Sequence, residues 1–439
     1  MLVMKFGGTS LGGADQIDTM VRLVRGRLPR RPVVICSAHS KVTDLLLAGA
    51  RAAAAGKPDL APVADREHEV LDALKLPRSL VEGDLARLSE LFQGLSLLRE
   101  LTPRSLDHVA AFGERMCVKA VAALLRRRRI PATAVDADEA GLVTDSRFTR
   151  ASPLPEAYAN LKASLAKVKG VPVVTGFIGR DRDGNVTTLG RSGSDYSATI
   201  VGKAVAAEEV EIWKDVDGVL TADPRIVPGA RPVEQISYAE ASELAYYGAK
   251  VIHPSTIHPA LEGGIPVRIL NTFDPKAPGT VIVAHRPPGA SPVTSIASKR
   301  GIRLVNIVSA RMLGQSGFMS SVFESFRRHD VEIDLIATSE VSVTVSVDRT
   351  TGLDAAVADI AAVAQVDVEG PCALVAVVGE GLASGADVAG RVFAALSAAC
   401  VGVRAISYGA TKTNLQVVVA EADANRTVSA LHQALFEAS

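Results

Sequence analysis

The last third of the sequence contains a degenerate internal repeat, and this repeat restricts the fold more than any other feature of the chain. The stretch that begins LVNIVSARMLGQSGF aligns with the stretch that begins LVAVVGEGLASGADV, so that Val322-Phe323 falls on Val392-Phe393, an offset of about seventy residues. Each copy has the pattern strand, glycine-containing loop, helix, strand, strand and helix. A unit of this size and order predicts a βαββαβ, ferredoxin-like domain. Two adjacent copies predict that the domains pair with each other or with another subunit.

The first two thirds of the chain alternate short apolar strands with helices. Strands are predicted within the stretches LVMKF, RPVVICSAHS, IPATAVDA, GVPVVTGFIGRD and EVEIWKDVDGV, and each strand stops in a loop of small or polar residues. This alternation predicts an α/β fold with a mostly parallel sheet, whose strand-end loops bind ligands. We predict an α/β domain over residues 1–284 and a linker at 285–292. The first repeat domain is predicted at 301–369, and the second is predicted to combine 293–300 with 370–439.

Composition and charge exclude several function classes. The chain of 439 residues carries 48 basic and 48 acidic residues, so it has no overall field to attract nucleic acid. The first residues do not resemble a signal peptide, and no long uncharged stretch could span a membrane. The cysteines lack the spacing of metal ligands and predict buried free thiols in a reducing compartment: Cys36, Cys117, Cys372 and Cys400. We expect a cytoplasmic protein that binds neither nucleic acid nor membrane.

The stretch MKFGGTS places a lysine at the end of the first predicted strand, directly before two glycines. Gly7 and Gly8 have no side chains, so their N–H groups can approach an anion closely, and Lys5 adds a positive charge. The spacing differs from that of a P-loop. The stretch therefore predicts a phosphate-binding loop, with an ordinary Gly-Gly turn as the alternative.

The stretch TTLGRSGSDYSA places an arginine between two glycines at the start of a predicted helix. A Ser-Asp pair at this point, Ser194 and Asp195, also has a structural explanation as a helix N-cap. Capping does not account for Arg191, because a guanidinium between glycines is suited to bidentate binding of a carboxylate. The stretch therefore predicts a site for an acidic ligand.

Three other stretches place polar residues where a ligand could reach them. CSAHSKVTD offers the hydroxyl groups of Ser37, Ser40 and Thr43 after a predicted strand. FGERM places Glu114 in an otherwise apolar helix, where an ionised side chain usually extends outward unless it binds something. EIWKDVDGVLTADPRIV carries a group of charged residues that a simple turn would also explain: Lys214, Asp215, Asp223 and Arg225.

The sequence resembles aspartate kinase of the amino-acid kinase superfamily. The resemblance is carried by five stretches, which occur in this order: MKFGGTS, GER, TLGRSGSDYSA, DVDGVLTADPR and YGAKVIHPSTIHPA. The resemblance extends from Lys5 through the repeat, whose copies resemble the paired ACT domains of that family. It implies an amino-acid kinase catalytic domain followed by two ferredoxin-like ACT domains. It also implies transfer of the γ-phosphate of MgATP to the β-carboxylate of L-aspartate, which gives 4-phospho-L-aspartate and ADP. This is the first step of lysine, threonine and methionine biosynthesis.

The resemblance also implies roles for single residues. The catalytic residues would be Lys5, which holds the transferring phosphate, and Asp195, which orients Lys5. Arg191 would bind the α-carboxylate of aspartate and Glu114 its ammonium, within a substrate set of Ser37, Thr43, Glu114, Arg191 and Ser194. The nucleotide would bind Lys5, Gly7, Gly8, Thr9, Lys214, Asp215, Asp223, Arg225 and Lys250. Mg²⁺ would bridge the phosphates with few protein ligands.

The ACT pair implies feedback inhibition by lysine, threonine or both. The effector residues implied by the resemblance are Met312, Ser316, Gly317, Phe318, Met319, Asp334, Thr338, Ser339 and Glu340; the alternative is that they only cap and turn. The matching loop of the second copy, EGLASGADVAG, predicts a weaker pocket. Because ACT pairs associate, a homodimer or larger homo-oligomer is expected.

Four positions depart from the usual pattern of the family. Ser192 and Lys41 occupy positions that are usually glycine, Lys214 replaces a frequent threonine, and Leu220 replaces a frequent tyrosine. None of these changes removes a charged group that the reaction needs.

Two alternative functions remain. One is a kinase of the same superfamily that acts on glutamate, acetylglutamate, carbamate or UMP, against which the doubled repeat and FGER argue. The other is a non-enzymatic amino-acid sensor, against which the retained Lys5, Arg191 and Asp195 argue. Since the sequence ends soon after the second copy, no fused homoserine dehydrogenase is expected.

Overall fold

The computed structural model describes residues 1–247, 253–287, 289–312, 316–383, 387–409 and 413–437. The chain divides into two compact units. The first consists of Met1–Val219, Glu234–Tyr238 and Val251–His285, and the second of Leu220–Val233, Ala239–Lys250 and Arg286–Ser439. The second unit therefore includes two segments that precede the predicted linker, and the domain boundaries stay a prediction.

A mostly parallel sheet forms the centre of the first unit. The described strands of this unit are β1 (Leu2–Phe6), β2 (Pro32–Cys36), β3 (Ala132–Val135), β4 (Val171–Thr175), β5 (Ile178–Arg180), β6 (Val186–Thr188), β7 (Glu209–Lys214), β8 (Gln235–Ser237), β9 (Val267–Asn271) and β10 (Thr280–Val283). Eight of them form one sheet in the order β3-β4-β2-β1-β7-β9-β10-β8, and only the β9–β10 pair is antiparallel. The prediction of a mostly parallel sheet is confirmed.

Helices alternate with these strands along the chain. They are α1 (Ala14–Arg27), α2 (Val42–Ala54), α3 (Ala61–Ala73), α4 (Ser79–Leu98), α5 (Pro103–Arg127), α6 (Glu156–Leu165), α7 (Gly193–Ala204), α8 (Tyr238–Tyr246, mostly in the second unit) and α9 (Pro254–Gly263). Every residue of β1, β2 and β4 is buried, as expected for parallel strands with helices on both faces. Phe6 stacks on Trp213 in the core, with ring centroids 6.0 Å apart.

The second unit contains one six-stranded antiparallel sheet. Its strands are β11 (Ser295–Val308), β12 (Ile336–Thr338), β13 (Ser342–Val347), β14 (Gln365–Val378), β15 (Val403–Ser407) and β16 (Asn414–Ala420), in the order β12-β13-β11-β14-β16-β15. The helices that follow β11 are α10 (Phe318–Arg328), α11 (Leu353–Ala361), α12 (Val388–Ala398) and α13 (Ala424–His432). The two copies therefore have the same order of elements, and the predicted pair of ferredoxin-like units is confirmed.

The two copies share their central strands. The second half of β11 pairs with β13. The first half, from Ser295 to Arg300, has no pairing with β13 and pairs with β14. The same part of β14 also pairs with β16. The first half of β11 thus adds a strand to the second copy, whereas the domain boundaries themselves stay a prediction.

The cores of the two copies support the alignment of the repeat. Val322 of α10 and the aligned Val392 of α12 are both almost fully buried, each in the apolar core of its own copy. Apolar residues four positions before and after them lie in the same cores, which is the spacing of one helix face. The two helices therefore use the same register to cover the sheet.

The cysteine prediction is only partly correct. Cys36, Cys117 and Cys372 are buried free thiols, but Cys400 is exposed. Cys400 follows the end of α12, where its positive φ of 52° lets the chain turn back towards β15. None of the described helices is long and apolar enough to cross a membrane.

Candidate active site

A small polar cavity lies where the carboxyl ends of β1, β2 and β4 meet the first turn of α7. Its volume is about 230 Å³. Six of its lining residues belong to the predicted site: Lys5, Ser37, Thr43, Glu114, Ser194 and Asp195. The remaining lining residues are Phe177, Gly190, Ser192 and Gly193. Residues that are far apart in the sequence therefore converge because parallel strands end at one edge of the sheet.

The positively charged part of the site is a buried cluster of two lysines and one carboxylate. The Nζ atom of Lys5 lies 2.6 Å from Oδ1 of Asp195, and the Nζ atom of Lys214 lies 2.9 Å from Oδ2. Burial by itself raises the pKa of Asp195, but the two ammonium charges outweigh it and hold that pKa below its usual value. The cluster therefore carries a net positive charge beside the cavity.

Glu114 is a buried carboxyl group in the lining of the same cavity. It is only 3% exposed, so the side chain does not extend outward to solvent. The backbone N–H of Ala38 donates a hydrogen bond to Oε1 at 3.2 Å, whereas Oε2 has no hydrogen-bond partner among the described atoms. Burial raises the pKa of Glu114 to about 8. A buried carboxylate with a free oxygen beside a cavity is suited to an ammonium ligand.

The glycines of the predicted phosphate-binding loop allow Lys5 and Ala38 to lie close to the backbone of this loop. A side chain at Gly7 would place its Cβ 3.2 Å from Nζ of Lys5, and a Cβ at Gly8 would lie 3.4 Å from the carbonyl oxygen of Ala38. Thr9 is exposed at the start of a short helical turn. The backbone of this loop therefore approaches both Lys5 and the loop after β2.

Close packing requires both glycines around Arg191. Gly190 has a φ of +75°, and a Cβ there would lie 2.9 Å from the carbonyl oxygen of Thr149. A Cβ at Gly193 would lie 2.5 Å from the ring of Phe177. The helix N-cap is Ser192, whose side chain makes no capping bond, so capping by Ser194 or Asp195 does not explain the stretch.

Arg191 is exposed and is absent from the cavity lining. Burial, and to a smaller extent the charge of Arg191, lower the pKa of His253. The assignment of Arg191 to the substrate α-carboxylate thus stays a prediction.

The two residues that stand at positions where the family usually has glycine, Ser192 and Lys41, both have a positive φ angle. Ser192 has a φ of 56° and Lys41 a φ of 74°, and both therefore adopt the left-handed conformation that glycine adopts without strain. This conformation accounts for the usual glycine at each position. Because Ser192 precedes α7 and Lys41 precedes α2, the strain lies directly at the cavity loops.

Replacing Ser192 with glycine is expected to stabilise the protein. Relief of the left-handed strain outweighs the extra chain entropy of glycine, so Ser192→Gly should raise the free energy of unfolding by about 0.5–1 kcal/mol. Urea unfolding checks this value. As a control of opposite sign, Arg51→Gly inside α2 should lower the free energy of unfolding by about 1 kcal/mol. A destabilised Ser192→Gly variant would contradict the strain argument.

The predicted nucleotide residues do not all belong to the same unit of the chain. Lys214 lies in the buried cluster, and Asp215 is exposed at the end of β7. Asp223 and Arg225 belong to the second unit, where Nη2 of Arg225 lies 2.6 Å from Oδ2 of Asp223 and lowers the pKa of that carboxyl. Lys250 lies outside the described residues. The nucleotide roles of these residues stay predictions.

The predicted effector residues lie in the second unit, in three different surroundings. Phe318 belongs to the apolar core of the first copy, and Met312 and Met319 pack against that core. The exposed residues are Ser316 and Gly317 before α10, Thr338 at the end of β12, Ser339 and Glu340.

Asp334 is held by a separate group of side chains. The Tyr246 hydroxyl donates to it, and Nζ of Lys299 lies 3.4 Å away. Burial and the neighbouring charge of Asp348 raise the pKa of Asp334 to about 7.

Sequence reasoning missed Phe177 as a cavity residue. Its φ of 68° and a hydrogen bond from its N–H to Oγ of Ser197, at 2.8 Å, fix it above the first turn of α7. The only signal in the sequence was its place directly after Gly176, the first residue beyond β4.

Comparison with known proteins identifies the class of the chain. The model of the amino acid kinase family matches residues 1–271, and an ACT domain model matches residues 305–360 and 375–435. Aspartokinase 3 of Arabidopsis thaliana chloroplasts is 38% identical over 456 residues, which cover 99% of this chain and 81% of the relative. The parallel sheet, the cation-rich strand-end loops and the paired repeats thus define an amino acid kinase with an ACT region.

Two solved structures are similar along almost the whole chain. Escherichia coli aspartokinase III in complex with lysine and aspartate, a T-state, has a TM-score of 0.83 at 33% identity and covers 99% of both chains. The same enzyme with aspartate and ADP, an R-state, also has a TM-score of 0.83 at 33% identity, over 99% of this chain and 100% of that one. The chain belongs to the aspartokinase family.

Proposed function

We propose that this enzyme transfers the γ-phosphate of MgATP to the β-carboxylate of L-aspartate, which gives 4-phospho-L-aspartate and ADP. The observation that carries the proposal is one cavity that combines the free carboxylate oxygen of Glu114 with the ammonium of Lys5. An amino acid with a side-chain carboxylate matches both groups, because its α-ammonium can pair with Glu114 and its side-chain carboxylate can lie beside Lys5. The similar Escherichia coli structures contain aspartate, ADP and lysine, which supports the same substrates here.

The acceptor carboxylate needs no general base. A free aspartate side chain has a pKa of about 3.9, so it enters the site ionised. The barrier is the approach of this anion to the triphosphate, and catalysis depends on positive charge and in-line positioning. Lys5 would neutralise the transferring phosphoryl group, Lys214 would add a second positive charge, and Asp195 would hold both lysines in place. Glu114 would bind the α-ammonium.

Mg²⁺ is proposed to enter with the nucleotide. The described part of the chain has no group of three or more side chains suited to a metal ion, and Asp195 is engaged with two lysines. The ion would therefore be held mainly by phosphate oxygens and water, as is usual for Mg²⁺ in kinases.

The function is tested with hydroxylamine, which traps an acyl phosphate as a hydroxamate. Purified protein with MgATP should form the hydroxamate from L-aspartate and not from glutamate or acetylglutamate. ADP release with carbamate and UMP tests the other acceptors. Turnover with another acceptor but not with aspartate would overturn the proposed substrate, and absence of turnover with any acceptor would favour the amino-acid sensor.

We propose that lysine, threonine or both inhibit the enzyme through the ACT region. The lysine-bound relative supports lysine. Threonine is kept as the second effector that the resemblance to the family implies. The effector carboxylate would bind the N–H groups at the start of α10, where Gly317 has a φ of +91°. The effector ammonium would bind Asp334 and Glu340.

Glu340→Ala is expected to weaken inhibition without changing catalysis. Glu340 is exposed, and the turn beside it is held by the N–H of Ser339, which donates to the Ser342 carbonyl at 2.8 Å, so the backbone should persist. Losing one charged contact should raise the half-inhibitory lysine or threonine concentration about tenfold. Initial rates measured over an effector titration check this, with Glu332→Ala as the matched control. Unchanged inhibition in Glu340→Ala would remove the effector assignment.

Self-association and location are also proposed. Ile336 of β12 and Ile406 of β15 are 47% and 44% exposed on the two edge strands of the repeat sheet, which supports pairing with another subunit. The free thiols support a reducing compartment, and we place the enzyme in the cytoplasm.

A further inference from the structure

Two loops that follow the neighbouring strands β1 and β2 are packed directly against each other. One follows β1 and carries Gly8 and Gly12, and the other follows β2 and carries Ala38 and Ser40. A Cβ at Gly8 would lie 3.4 Å from the Ala38 carbonyl oxygen, and a Cβ at Gly12 would lie 3.4 Å from Cβ of Ser40. Under the proposed function, the first loop binds the phosphate donor and the second binds the acceptor.

Arg66 of α3 holds both of these loops. Its Nη2 donates to the carbonyl oxygen of Gly12 at 2.6 Å, and its Nε donates to the carbonyl oxygen of Ser40 at 3.2 Å. Its Nη1 donates to Glu69 on the same helix at 2.7 Å, which fixes the guanidinium. One planar side chain therefore sets the distance between the two loops.

The neighbouring residue of α3 holds the acceptor loop a second time. Nδ1 of His39 lies 3.0 Å and 3.1 Å from the two carboxylate oxygens of Glu67, and both side chains are fully buried. His39 lies between Ser37 and Thr43, which are two of the predicted substrate residues that line the cavity. A buried pair of this kind fixes the loop because either partner alone would be left without its hydrogen bond.

We propose that Arg66 and Glu67 are positioning residues for phosphoryl transfer. They touch neither the reacting groups nor the cavity, and they act by holding the donor loop and the acceptor loop at one separation. This inference rests on the proposed function. In-line transfer between two bound anions is sensitive to such spacing, because a displacement of about 1 Å can lower a rate about a hundredfold.

The test compares Arg66→Met with Arg78→Met. Arg78 is the matched control, since it pairs with Asp72 on the surface and contacts neither loop. In the full-length enzyme, Arg66→Met should lower kcat about tenfold to a hundredfold, while calorimetric affinities for aspartate alone and ADP alone change little. Arg66→Lys should recover part of kcat, because an ammonium can hold one carbonyl but not both. Arg78→Met should behave like the unchanged enzyme.

The outcomes separate positioning from mere stability. An unchanged kcat in Arg66→Met would overturn the proposal. It would also be overturned if the affinities for the single ligands and the melting temperature fell together with kcat, because that result would indicate a general loss of stability. Glu67→Gln gives a second readout, since an amide oxygen can still accept from His39: it should keep most of kcat, whereas Glu67→Leu should lose it. Equal kcat in these two variants would also overturn the role of Glu67. The unchanged enzyme is assayed first, so that failure of the proposed function is recognised separately.

Discussion

Lys5→Met should lower kcat for aspartate phosphorylation by about a hundredfold to a thousandfold, with little change in stability. The Nζ atom of Lys5 lies in a buried cluster, where a positive charge stabilises a transferring phosphoryl group more strongly than it would in water. Methionine fills a similar volume without the charge. The fold should persist because Asp195 keeps Lys214 at 2.9 Å and is not left as an unpaired buried charge.

The control for this variant is a lysine on the helix that carries Asp195. Lys203 of α7 pairs with Glu262 at the surface, and Lys203→Met should leave kcat unchanged. Circular dichroism and thermal unfolding establish that both variants are folded before kcat is measured by ADP release. A folded Lys5→Met variant with nearly normal turnover would show that the phosphate is held elsewhere.

The sequence predicted the residues that follow strands better than the residues that support them. Lys5, Ser37 and Asp195 were found because strand-end loops of a parallel sheet meet at one edge, so local pattern is enough to place them together. Arg66 and Glu67 gave no such signal. They lie on a helix more than twenty residues after the loop that they hold, and only the packing of α3 brings them there.

Local pattern also could not assign every segment to a core. The stretch 220–233 has the polar turns of a strand-end loop, yet it clusters with the second unit, where Ala222 and Val227 join the apolar core of the second copy. Two apolar residues in a turn-rich segment do not specify which core they enter, because burial depends on long-range contacts. The strain at Ser192 and Lys41 was likewise visible only in the backbone angles.

Glu114→Gln should raise the KM for aspartate about a hundredfold at pH 8 and change kcat much less. In the proposed site, the substrate ammonium pairs with ionised Glu114, and an amide cannot replace that charge. The pKa of Glu114 is raised to about 8, so below this pH the substrate must displace a proton. In the unchanged enzyme, KM should therefore increase about tenfold for each pH unit from 8 to 6. Steady-state kinetics across this range should show no such dependence in Glu114→Gln.

The ionisation of Glu114 should affect stability in the opposite direction to substrate binding. A rise in pH should strengthen aspartate binding but lower the free energy of unfolding. Glu114 binds a proton more tightly in the folded state, with a pKa of about 8, than in the unfolded state, with a value of 4.5. The free energy of unfolding therefore falls as pH rises from 4.5 to 8, by roughly 3–5 kcal/mol from this group. Glutamine removes this term and keeps the hydrogen bond from Ala38, so Glu114→Gln should gain stability relative to the unchanged enzyme as pH rises. Urea unfolding at pH 5.5 and 8.5, with the exposed Glu82→Gln as control, measures the difference. A stability difference that stays constant with pH would mean that Glu114 is ionised in the free enzyme, and the pH dependence of KM would then have to be absent as well.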